Sequence, residues 1–151
     1  MPRPTLVDPD RGDARTRLLE AARDVIRAKG FTATSVDDLC REAAVTKGAF
    51  FHHFHTKEAL GVAAAERWAE TTEAFFGTAP YPEPDDPLER VIAYVDFRRQ
   101  MIVGEIAGFT CLAGTLAQEV HASAPAIHDA CATSILGHAL TLEADITSPP
   151  R

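Results

Sequence analysis

One tryptophan, two tyrosines and three cysteines are all that 151 residues contain of these types. Three cysteines are an odd count and no C-x-x-C occurs, so a disulfide framework is not expected. Free buried thiols are the default, with a thiol sensor as the sharper alternative. No stretch approaches the ~20 apolar residues of a membrane span. The leading M-P-R-P-T-L-V-D-P-D-R-G lacks the apolar run of a signal peptide. A cytoplasmic protein without membrane contact is therefore expected. G-x-S-x-G, a phosphate-binding loop and H-E-x-x-H are missing too, so nothing argues for an enzyme or a cofactor. His52-His53-x-His55 does not read as a metal site: the i, i+1, i+3 spacing turns the imidazoles to different faces, and no Cys or carboxylate completes a ligand set. A helical metalloenzyme remains the remote alternative.

Charge of one sign is also scarce in one half. Residues 1–60 hold ten Lys/Arg against nine Asp/Glu, the rest five against thirteen, and all three lysines lie between residues 29 and 57. The net charge of −7 therefore comes from the C-terminal part. An acidic protein is a poor non-specific binder of nucleic acid, so any DNA contact has to be local and site-directed.

Proline is absent between Pro9 and Pro80, and helical signals fill that interval. Asp13 caps a first helix whose buried stripe is Leu18, Leu19, Ala22, Val25 and Ile26; Gly30 and Phe31 end it. Ser35 opens a second helix, about Val36 to Ala43, with Asp38 as its capping-box partner. After Ala44-Val45, Thr46 caps a third helix beginning at Lys47. Its Phe50 and Phe54 face inward at i, i+4, while Lys47, Gly48, Ala49, Phe51, His52 and His53 occupy the other face. A second helix that buries one stripe and offers small, basic and hydrogen-bonding residues on the other suits the major groove. Thr56 then caps a fourth helix with Lys57 at its N-terminus, a phosphate site by type.

The block from Arg15 to about Leu60, with R-L-L-E-A-A, F-T-A-T-S-V and V-T-K-G-A-F-F-H-H-F-H-T-K-E-A-L, resembles the TetR family of transcriptional regulators. The resemblance implies phosphate contacts at Thr34 and Lys57 and base contacts from Thr46, Lys47, Gly48, Ala49 and His52, with Ser35 and His53 beside them. Phe51 takes the place of a phosphate-binding tyrosine and lacks its hydroxyl. Ala44 stands where the family prefers glycine, so a left-handed residue there would carry a steric penalty.

Beyond Leu60 the fourth helix should continue through Trp68 to Phe76, until G-T-A-P-Y-P-E-P-D-D-P breaks it. Three further helices are expected at about Leu88–Val103, Gly108–Ala122 and Ala126–Asp145. Their core candidates are Val91, Val95, Ile102, Phe109, Leu112, Leu116, Ile127, Ile135 and Leu140. In TetR-like proteins this second part binds a small molecule and carries the dimer interface. G-F-T-C-L-A-G-T-L-A-Q-E-V is similar to a helix of one subgroup. Trp68, Tyr94, Phe97, Met101, Phe109 and Cys111, with Arg98 or Gln100 as polar anchors, would line an apolar pocket. The same stripe at helical spacing also reads as ordinary core.

The expectation is an all-α protein with an N-terminal segment 1–12 that is disordered, a three-helix helix-turn-helix DNA-binding domain at 13–57, and a helical ligand-binding and dimerisation domain at 58–151. Because T-S-P-P-R closes the sequence where the family continues its bundle helices, the second domain is expected to be incomplete, truncated at its C-terminal end. The protein would then sediment as a mixture. The function expected is a ligand-responsive transcriptional repressor of a palindromic double-stranded operator. It would be a homodimer in its full-length form, with an unknown effector. A truncated helical protein that does not dimerise and binds DNA weakly is the alternative.

Overall fold

The computed structural model describes residues 12–149, so the segment expected to be disordered lies, apart from Gly12, outside the described residues. Among the described residues every regular element is a helix. The first four form where the capping chemistry places them. Asp13 accepts from the Thr16 N–H and opens α1 (Ala14–Lys29), which Gly30 closes with φ 87°. Ser35 and Asp38 form a reciprocal capping box on α2 (Val36–Ala43), two otherwise orphaned amides satisfied at once. Thr46 caps α3 (Lys47–His53) through the Ala49 N–H, and Thr56 caps α4 (Lys57–Gly77) through the Ala59 N–H.

Ala44 links α2 to α3 at φ 53°, ψ 49°, the one non-glycine residue with positive φ among those described. Its N–H satisfies carbonyls at the end of α2, so the strain of a left-handed alanine is the geometric condition for the tight turn.

The C-terminal half supplies α5 (Pro87–Gln100), α6 (Ile106–Phe109), α7 (Leu112–Val120) and α8 (Pro125–Thr147). The single helix expected over Gly108–Ala122 is therefore two. Thr110 and Cys111 are extended, and the Cys111 sulfur accepts from the Gly114 N–H to open α7. Helices α1, α4, α7 and α8 pack around one buried cluster in which Leu18, Ile26, Leu60, Leu112, Leu116 and Ile127 are 0–1% exposed. The cluster runs without interruption from α1–α4 into α7 and α8. Gly61 sets the α4–α8 spacing, since a Cβ there would meet Ile127 Cδ1 at 2.6 Å and Phe31 at 3.0 Å.

Helix α5 lies on α8 and buries nothing completely. Of the core candidates, Leu112, Leu116 and Ile127 are buried, and Val91 and Phe109 are partly so. Val95, Ile102, Ile135 and Leu140 are corrections: all four stand exposed. Val95 is on α5, Ile102 lies past its end, and Ile135 and Leu140 are on α8; none of the four is covered by a described element.

Candidate nucleic-acid interface

Helix α3 is held from one side and open on the other. Phe50 (fully buried) and Phe54 (buried) anchor it in the core, their ring centroids 6.0 Å apart. Thr46, Lys47, Gly48, Phe51, His52 and His53 are exposed and Ala49 partly so. At Gly48 an added Cβ would meet nothing nearer than the Thr46 hydroxyl at 3.8 Å, so the backbone is open to close approach. The His52 and His53 rings stand edge to face at 4.9 Å. Lys47 reaches Asp37 on α2 at 3.1 Å across an exposed gap, a contact that water and salt weaken and that a phosphate can displace. The face thus offers an ammonium and two imidazoles beside a stretch of open backbone.

The α1–α2 turn fixes the attitude of this helix pair. Asp38 accepts from Lys29 Nζ at 2.7 Å and from the Ser35 N–H at 3.0 Å. The Lys29 ammonium first, then Ser35, hold its carboxyl far below the usual carboxylate range. Thr34 is a correction to the expected phosphate contact. It is 1% exposed, and its hydroxyl donates to the Gly30 carbonyl at 2.6 Å, so it braces the turn from within. Lys57 is likewise engaged inside: its ammonium donates to the carbonyls of Phe31 (3.1 Å) and Thr34 (3.0 Å) and lies 4.4 Å from the Phe31 ring centre. Ser35 is exposed at the same edge, with its side chain spent on the α2 cap.

The residues expected to line a pocket do not converge. Trp68 borders a cleft of about 60 Å³ between α1, α4 and α7 with Leu19, Arg23, Arg67 and Leu112. Tyr94, Phe97 and Arg98 sit apart from it, on α5. They join an aromatic group in which Phe76, Tyr81 and Phe97 rings lie 5.8–6.5 Å apart and the Arg98 guanidinium lies 5.2 Å from the Phe76 ring. Tyr94 and His138 share a hydrogen bond of 2.8 Å there, and burial, then Arg98, lowers the imidazole pKa. Met101 and Phe109 are half-buried elsewhere along the sequence, and Cys111 is exposed. Cys111 thereby corrects the expectation of three buried thiols. Cys40 and Cys131 are buried, and burial foremost pushes the Cys131 thiol up to about 11. Among the described residues no three His, Cys, Asp or Glu side chains are grouped to hold a metal ion, and no helix is long and apolar enough to cross a membrane.

Two residues that sequence reasoning did not single out tie the helix-turn-helix to the second half. Arg27 of α1 donates to the carbonyls of Thr110 (2.7 Å) and Gly108 (2.6 Å) at the end of α6, with its guanidinium 5.1 Å from the Trp68 ring. Glu119 of α7 accepts from the Phe31 and Thr32 N–H groups. Both contacts join residues more than eighty apart, a range at which helical periodicity carries no signal.

Residues 18–64 match the family of bacterial regulatory proteins called tetR. The transcriptional regulator UidR of Escherichia coli strain K12 is 35% identical over 89 residues, which are 59% of this chain and 41% of UidR. The transcriptional repressor NemR of the same strain is 42% identical over 55 residues, 36% of this chain and 28% of NemR. The alignments thus span less than half the length of either relative. A TetR-family regulator from Agrobacterium tumefaciens superimposes with a TM-score of 0.76 over 88% of this chain and 69% of its own, at 20% identity, a likeness of fold. The reduced form of E. coli NemR superimposes with a TM-score of 0.71 over 87% and 68%, at 26% identity.

Proposed function

Because residues 18–64 match the tetR family of bacterial regulatory proteins, we propose that the protein is a sequence-specific DNA-binding transcriptional regulator, a ligand-responsive repressor. The observation that carries this reading is the α3 face, where Thr46 to Ala49 and His52 stand open around a buried Phe50. Residues 13–57 do the DNA binding, with Lys47 and His52 reading bases and Phe51 facing the backbone. Residues 58–151 take a small-molecule effector and, as a homodimer, set two recognition helices one helical turn apart on a palindromic operator. Effector binding beside Tyr94, Phe97 and Arg98 biases α4, which runs from the DNA-binding unit to that aromatic group, and so changes the separation of the recognition helices. The cytoplasm is where such a protein works.

Sequencing the DNA that the purified protein selects from a random pool tests the reading. The expected result is an enriched palindrome, relaxed in the His52→Ala variant. Phe51→Tyr should tighten binding by roughly 0.5–1.5 kcal/mol without altering the selected sequence, through a restored phosphate hydrogen bond. A pool that emerges without enrichment would overturn the proposal.

A further inference from the structure

Sequence positions 30–34 decide how α2 and α3 stand on α1, and a carboxylate from far along the sequence grips them. Glu119 on α7 places one oxygen 2.7 Å from the Phe31 N–H and the other 2.8 Å from the Thr32 N–H. From the opposite side Lys57 Nζ donates to the carbonyls of Phe31 and Thr34. The turn is held along its own dipoles, an anion on its amides and a cation on its carbonyls. Burial alone would raise the Glu119 carboxyl pKa. The Thr32 and Phe31 amides, with Lys57 behind them, outweigh it and hold the group below its usual range. Gly30 makes the approach possible: its φ is 87°, and a Cβ would lie 2.9 Å from a Glu119 oxygen. Thr34, bonded to the Gly30 carbonyl, passes this fixed geometry to the Ser35 cap and so to α2.

We infer that Glu119 is a positioning residue for DNA binding, locking the α1–α2 turn, and through it the recognition helix, to α7. The inference rests on the DNA-binding reading above. It gives the second half a hold on the recognition helix separate from α4. A shift of α7 by about 1 Å would take both bonds out of hydrogen-bond range and free the turn.

Electrostatics and positioning make opposite predictions for Glu119→Gln. Neutralising a carboxylate should strengthen attraction to phosphates. Loss of the strut should weaken binding, because glutamine accepts one of the two amide bonds and turns its own NH2 toward the other. The experiment measures affinity for the DNA selected by the wild-type protein, its salt dependence, and amide hydrogen exchange at Phe31 and Thr32. Binding about tenfold weaker is expected, the value of one charged hydrogen bond. The salt slope should stay unchanged because no phosphate contact is removed, and exchange should be faster at those two amides with exchange in α1 unaltered. If circular dichroism shows Glu119→Gln unfolded, Glu119→Asp takes its place. It keeps the charge and withdraws the carboxylate by one methylene, and the same weakening is expected. Equal or tighter binding with unchanged exchange overturns the inference while leaving the DNA-binding reading intact. A wild-type protein that selects no DNA removes that reading, and the inference with it.

Discussion

Leu60 on α4 and Leu140 on α8 occupy similar positions in the sequence pattern, each on an apolar stripe of helical period, yet Leu60 is 0% exposed and Leu140 is 66% exposed. The difference divides the molecule. In α1–α4 the inward residues Leu18, Ile26, Leu39 and Phe50 are covered, by neighbours close in sequence and by α7 and α8. On α5 and the outer side of α8, Leu88, Ile92, Val95, Leu136 and Ile146 are open. Helical period marks which face is apolar. It does not say whether anything covers that face.

The largest expected effect tests this division directly. Leu60→Ala should destabilise the protein by about 2–5 kcal/mol, transfer loss plus a cavity in a core with no room to collapse. Leu140→Ala should change stability by less than about 0.5 kcal/mol. Urea unfolding of both variants at several protein concentrations gives the numbers. Equal losses would break the comparison. A Leu140 loss that fades on dilution would mean a second copy covers the α8 face, as the homodimer reading requires.

What the sequence made legible follows from the range of the forces involved. The boundaries of α1 to α4 are set by caps acting over three or four residues, and Asp13, Ser35, Thr46 and Thr56 could be read directly. The outward α3 face was legible for the same reason, because buried Phe50 and Phe54 fix its orientation. The α6–α7 break was not, because it depends on Thr110 and Cys111 turning extended where Arg27 takes the Thr110 carbonyl. Thr34 was misread because a hydroxyl bonded to a carbonyl four residues back looks, in sequence, like a free donor. Lys57 shows the same limit. Its place at a helix N-terminus was legible, but the two carbonyls it reaches belong to a turn more than twenty residues earlier.

A middle-sized effect sharpens the account of the covered half. Lys57→Met keeps the aliphatic stem and deletes the ammonium, leaving the carbonyls of Phe31 and Thr34 without their shared donor. A loss of roughly 1–3 kcal/mol in stability is expected, the range for a charged hydrogen bond and its stranded partners. Operator binding measured against salt separates two roles for this lysine. As an internal brace it leaves the slope unchanged; as a phosphate contact its removal lowers the slope by about one.

The smallest effect concerns one substitution that should have opposite signs in the two regions. Ala44 carries φ 53°, where a Cβ crowds the following carbonyl at roughly 1–2 kcal/mol. Glycine there removes that crowding but gives the unfolded state more freedom to lose, which offsets about half of the gain. Ala44→Gly should therefore stabilise the protein by roughly 0.5–1 kcal/mol. Ala139, exposed in the middle of α8, is ordinary helix. Glycine there relieves nothing and should destabilise by up to about 1 kcal/mol. Paired thermal or urea unfolding of the two variants reads the signs directly. Destabilisation at both positions would mean that the α2–α3 turn relaxes away from the left-handed region in solution. Helix α3 would then lean less on Ala44 than on the Phe50 anchor and the Thr46 cap.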